Sequence, residues 1–263
     1  MGQRPTRTCA LCHRLRLLCD SHFLPKALYR YIRRMSLGGG TKTNPVFIND
    51  KLEKQLPNQA SAFLLCEECE KRLRENGETW VLEHCYRGRA SFALHDILSK
   101  YSPYARIDDF MGFDVATVRD IDSNKLSYFA ASVFWRSAVH DWYLGKIHLG
   151  SISLGQYEES FRKYLLSEAA LPENAVITVC VAESKECLPV ALFPASRKNL
   201  LYHHHWFRIP GIAFHLYVGN GMDQALRSGC LVRSGVLYMS DLIDQKVVED
   251  LGRAITLRKA RTY

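Results

Sequence analysis

The chain has 263 residues, 47% hydrophobic and 24% charged, with a formal net charge of +8; this excludes an intrinsically disordered chain and leaves room for one large or two ordinary domains. There is no run of 18 apolar residues and the basic N-terminus has no export-signal core, so a membrane span is excluded and a cytoplasmic protein expected. Nine cysteines, an odd number in a chain expected to stay reduced, point to metal ligation and buried thiols rather than disulfides.

In chain order, Cys9-x2-Cys12 comes first, followed by an alternating run from Arg14 to Cys19. Leu15 and Leu17 face opposite to Arg14 and Arg16 there, which predicts a half-buried strand. Ser21-His22-Phe23-Leu24-Pro25 follows, and Pro25 suits the first turn of a helix. Helical spacing over Lys26 to Met35 puts Leu28, Ile32 and Met35 on one face and Lys26, Arg30, Arg33 and Arg34 on another. The stretch SLGGGTKTNP over 36–45 reads as a loop. A second helix starts near Leu65-Cys66 and stops or kinks at Asn76-Gly77, with Glu67, Glu68 and Glu70 suiting its positive terminus. A short helix is expected over 91–100.

The second half changes character. Helices are expected over 126–144 and 156–168, then strands over 175–182, 188–193, 206–218 and 229–239. The expected fold class is α+β: a treble-clef zinc module over 1–95, then a mixed α+β domain over 96–263 with its own core and no assigned role.

Cys9-x2-Cys12 and Cys66-x2-Cys69 are two pairs at zinc-ligand spacing, one in a turn before a strand and one at a helix start. Two such pairs complete a tetrahedral thiolate shell with no open position, so the expected ion is a structural Zn²⁺. The long separation is no obstacle, because loop-closure entropy rises slowly with length.

With Ser21-His22-x2-Pro25 between the pairs and Leu65-Cys66-x2-Cys69-Glu70 after it, the first 80 or so residues resemble the HNH (His-Me finger) endonucleases. The chain also looks like a group of largely uncharacterised bacterial proteins with a CxxC…SHxxP…LCxxCE signature. In that group a segment like Ser132-Val133-Phe134-Trp135-Arg136 follows, then one like Leu154-Gly155…Glu158-Glu159…Arg162. The HNH resemblance implies that His22 is a general base activating water against a phosphodiester, beside a Mg²⁺ or Mn²⁺ ion. Glu70 stands where the family has an asparagine, and Ser21 where it has an acid; Glu78, His84 and Asp20 are candidates for the missing groups. Two readings stay open: a divalent-metal-dependent phosphodiester hydrolase, and a non-catalytic zinc module binding nucleic acid or a protein.

Charge placement favours nucleic acid as partner, DNA and RNA being undistinguished. Residues 1–35 carry eight Lys/Arg (Arg4, Arg7, Arg14, Arg16, Lys26, Arg30, Arg33, Arg34) against one acid, Asp20, and the tail adds Arg253, Arg258, Lys259 and Arg261. Lys26, Arg30, Arg33 and Arg34 are the expected phosphate contacts. Other features read as structure. His203, His204 and His205 alternate faces on a strand and cannot readily share one metal. Cys19, Cys85, Cys180, Cys187 and Cys230 read as small core residues, and Trp135 and Arg136 as packing.

Overall fold

The computed structural model describes residues 4–36, 46–49, 52–55, 59–198 and 201–241; the expected loop beyond Ser36 and the basic tail residues Arg253, Arg258, Lys259 and Arg261 lie outside them. The N-terminal part runs β1 (Thr6–Thr8), β2 (Leu15–His22), α1 (Lys26–Ser36), the β3–β4 hairpin (Val46–Asn49, Leu52–Gln55), β5 (Ser61–Cys66) and α2 (Glu67–Leu73). β1, β2 and β5 make a three-stranded antiparallel sheet, with a bulge between Leu18 and Asp20 where β2 meets β5.

Arg14 to Leu17 is not half-buried as its alternation predicts. Leu15 is 70% and Leu17 52% exposed, and burial begins only at Leu18. The reason is register: the first half of β2 pairs only with β1, and β5 begins to cover the strand at Leu18.

The second helix does break where its glycine stands, and then continues. After α2 the backbone takes a π-helical turn over Arg74–Glu78 before α3 (Thr79–His84). Gly77 is required there, since a Cβ would lie 2.9 Å from the backbone nitrogen of Phe129 on the helix crossing it.

That crossing helix is α5 (Ser123–Val139), reached after α4 (Ala93–Leu98), β6 (Ala105–Ile107) and β7 (Phe110–Asp114). Every residue from Leu126 to Ser137 is buried, which is what an apolar helix without a polar face requires. Asp122 caps its start, accepting from the Lys125 amide at 2.9 Å. Beyond it come the short β8–β9 hairpin (Tyr143–Leu144, Ile147–His148) and α6 (Glu158–Leu165), with one 3₁₀ turn before α6.

β10 (Ala175–Val181), β11 (Leu192–Lys198), β12 (His203–Ile209), β13 (Ile212–Val218) and β14 (Val236–Met239) join β6 and β7 in a seven-stranded mixed sheet, order β11-β12-β13-β10-β14-β7-β6. Several expectations are corrected. The 206–218 run is two strands hinged at Pro210-Gly211, where Gly211 has φ +76° and Ile209 pairs with Ile212. An unbroken apolar run hides such a reversal, since both arms are buried. The strand expected over 188–193 begins only at Leu192, and 229–239 is mostly α8 (Leu231–Ser234) plus a short strand after α7 (Gln224–Ser228). The β6–β7 edge hairpin was not expected.

One face of the sheet packs on α5: Phe129 lies against Phe207 and Phe214, and Phe134 against Phe207. Among the described residues the main buried cluster runs from Cys9 to Met239, with a smaller one of Val176, Met222 and Cys230. The architecture is mixed α+β with a four-cysteine cluster at its N-terminal end. Among the described residues no helix is long and apolar enough to cross a membrane.

Candidate metal centre and the surface around it

Cys9 and Cys12 sit in the turn between β1 and β2; Cys66 ends β5 and Cys69 lies in the first turn of α2. The turn is closed by the His13 amide donating to the Cys9 carbonyl at 2.9 Å, with His13 in the left-handed region at φ 57°. The four sulfurs lie within 4.8 Å of one another, and the Cys66 amide donates to Cys9 Sγ at 3.3 Å. The hydrogen bond between Cys9 and Cys69 lowers the pKa of the Cys9 thiol and raises that of the Cys69 thiol. Four sulfurs gathered this closely at C-x2-C spacing could hold a metal such as zinc as thiolates. All four predicted ligands are brought together.

The other predicted residues are not gathered into a second metal site. Among the described residues no other three His, Cys, Asp or Glu side chains bring ligand atoms so close. Ser21 is 1% exposed, and its hydroxyl accepts from the Leu65 amide at 3.1 Å, fixing β2 to β5. Burial raises the Glu70 carboxyl above its ordinary range, the Ser21 hydroxyl pulling the other way; Glu70 Oε1 has no hydrogen-bond partner. Glu78 is held by Arg136 at 2.7 Å, their side chains 12% and 1% exposed. His84 is stacked on Trp80 at 3.8 Å between ring centroids, its Nδ1 2.7 Å from the Trp80 carbonyl. Among the described residues no cluster of three carboxylate or histidine ligands gathers beside His22 for a Mg²⁺ or Mn²⁺ ion. His22 itself ends β2, half-buried, and burial holds its imidazole below the ordinary range, partly offset by Asp20.

Two arginines fasten this region to the rest of the chain. Arg136 on α5 donates to the His22 carbonyl at 2.9 Å as well as to Glu78, and also bonds the carbonyl and hydroxyl of Ser132. Its own carbonyl accepts from Trp142 Nε1 at 2.8 Å, and Trp142 packs on Phe23 at 5.0 Å. Arg162 on α6 donates to the carbonyl of Leu11, inside the cysteine turn, at 2.8 Å, and holds both Glu159 oxygens at 2.7 Å. That contact keeps Glu159 below the usual carboxylate range. Sequence reasoning placed Arg136 in packing and gave Arg162 no role. The available signal was an arginine inside an otherwise apolar helical run, which demands buried partners.

The basic surface is where the sequence puts it. Arg4, Arg7, Arg14, Arg16, Lys26, Arg30 and Arg34 are exposed, and Arg33 is half-buried. Among the described residues none of these cations is paired with a carboxylate; the ion pairs fall elsewhere. Arg7 and Arg16 stand directly opposite on β1 and β2, an arrangement that repels unless an anion lies between or beside them.

No protein-family model, curated protein or solved structure matches the chain.

Proposed function

We propose that the N-terminal part is a zinc-stapled treble clef of HNH-like form that binds nucleic acid without cleaving it. The reading rests on one observation above the rest: seven exposed cations, none with an acid partner among the described residues, lie on or beside the β1 and β2 strands and the α1 helix next to the four cysteines. A closed four-thiolate zinc would fix β2, β5 and α2, and α1 follows β2 after only three residues. Lys26, Arg30 and Arg34 would meet phosphates from the helix, and Arg7 and Arg16 from the sheet. Against cleavage stand the buried Ser21 in place of an acid and the capture of Glu78 by Arg136.

A hydrolase with His22 as base is the second reading, favoured by a half-buried imidazole kept below its ordinary pKa, and so neutral near pH 7. One experiment separates the two. Labelled duplex and single-stranded DNA and RNA are titrated with zinc-loaded protein in Mg²⁺, reading binding and strand length together. Binding with intact strands supports the module; cleavage lost in His22→Ala supports the hydrolase; neither sinks both.

A further inference from the structure

The face of the seven-stranded sheet turned away from α5 carries a cavity of about 320 Å³, within the range of small-molecule sites. Strand alternation puts Thr178 and Cys180 of β10, and His215 and Tyr217 of β13, on that face; their neighbours Ile177, Val179, Phe214 and Leu216 point into the core. Tyr238 closes one wall, with Phe110 edge-on to it at 6.5 Å. α7 and the β6–β7 hairpin form the rims, where Ile107 is 64% exposed.

The lining has three features in combination. It contains aromatic rings from Phe110, Tyr217 and Tyr238 and the imidazole of His215, which favour a flat guest. It contains no Lys, Arg, Asp or Glu, so it offers nothing to a charged group. Its polar atoms are few and placed. His215 Nδ1 is 3.0 Å from His204 Nε2, while among the described residues no hydrogen bond engages the second ring nitrogen of the partly buried His215. Burial keeps that ring neutral, with a pKa of about 4, so near pH 7 it offers one donor or one acceptor rather than a charge. Gly229 leaves room for the Tyr238 hydroxyl, which a Cβ there would meet at 2.8 Å.

We infer that this cavity is a binding site for a nucleobase, stacked among the aromatic rings with one edge on His215. A nucleobase has flat neutral faces and hydrogen-bonding edges, which match a slot with flat walls, no charge and one partly buried imidazole. The inference is independent of the cysteine module, which lies beyond α5. The base could belong to a free nucleoside or to a nucleic-acid strand, and the test distinguishes them.

The full chain is titrated calorimetrically with adenosine, guanosine, cytidine, uridine and thymidine, with adenosine monophosphate, and with a short single-stranded oligonucleotide. At least one nucleoside is expected to bind one-to-one, the monophosphate no more tightly than adenosine. Ala225→Trp, on the exposed rim, and His215→Phe should each weaken binding about tenfold or more, the worth of one lost hydrogen bond or a blocked mouth. Circular dichroism establishes that both variants fold, and Ala225→Trp keeps the test open if His215→Phe does not. An oligonucleotide that competes with the nucleoside, and loses that competition in Ala225→Trp, makes the source a strand; absence of competition makes it a free nucleoside. Failure of all five nucleosides to bind folded protein, or binding unchanged in the folded variants, overturns the inference.

Discussion

Arg136 on the central helix donates to the backbone carbonyl of His22 at 2.9 Å, across 114 positions of sequence. The same guanidinium holds Glu78, so one buried side chain joins β2, the π turn and α5. Charges taken from water in this way are supported only while every partner is present. Arg136→Met should therefore destabilise the chain by about 3–5 kcal/mol, leaving the Glu78 carboxylate and the His22 carbonyl unanswered. Arg136→Lys should recover little, because an ammonium cannot reach two directions at fixed angles. Urea unfolding checks this; a loss below about 1 kcal/mol for Arg136→Met contradicts the role.

Metal removal should act on the same region. A four-thiolate zinc supplies folding energy on the order of 10–16 kcal/mol in small modules. Prolonged chelation, or Cys66→Ser, should abolish the one-to-one zinc and expose the amides of β2, β5 and α2 to hydrogen exchange, while the sheet built on β10 and β13 keeps its protection. Full retention of one zinc by Cys66→Ser contradicts the ligand assignment.

Arg162 has a narrower task. Its donation to the Leu11 carbonyl steadies the turn that carries Cys9 and Cys12 from outside. Arg162→Ala should speed zinc release to a competing chelator by about tenfold, the kinetic equivalent of one charged hydrogen bond, with little change in the metal stoichiometry. An unchanged release rate removes the brace from the account.

Acid should weaken the sheet through its buried histidines. His205 and His215 are both held at about 4 by burial, and His204 is lowered as well. Their folded pKa values lie below the unfolded value near 6.5, so the unfolded chain takes up protons first as pH falls. Stability contributed by their neutral forms is full above about 6.5 and is lost on the way down to about 4, at roughly 1.4 kcal/mol per pH unit for each ring. Comparing wild type with His215→Phe between pH 7.5 and 5 isolates one ring from any acid release of metal. The variant should show the shallower slope; equal slopes contradict the assignment.

Much of the four-cysteine cluster was legible because its spacing is local: C-x2-C in a turn and C-x2-C at a helix start need no knowledge of the rest. Elements with one clear period were legible too, as with Lys26–Ser36, or the strand that begins at Ala175. What failed depended on distant neighbours. Leu15 and Leu17 alternate correctly yet stay exposed, because the third strand starts too late to cover them. The reversal at Pro210-Gly211 vanished inside an apolar run. The ties from Arg136 and Arg162 join residues over a hundred positions apart, and no window of sequence contains them.

The account stands most directly on nucleic-acid affinity measured against salt. Anisotropy of labelled single and double strands is followed with zinc-loaded wild type and with the exposed-surface double variant Arg30→Glu/Arg34→Glu, in the presence of Mg²⁺. The account predicts intact strands, log affinity falling linearly with log salt at about 0.9 per phosphate contact on duplex DNA, and a variant that binds at least about tenfold more weakly with a shallower slope. Folded, zinc-loaded protein that binds no strand at low salt, or that cleaves one, contradicts it.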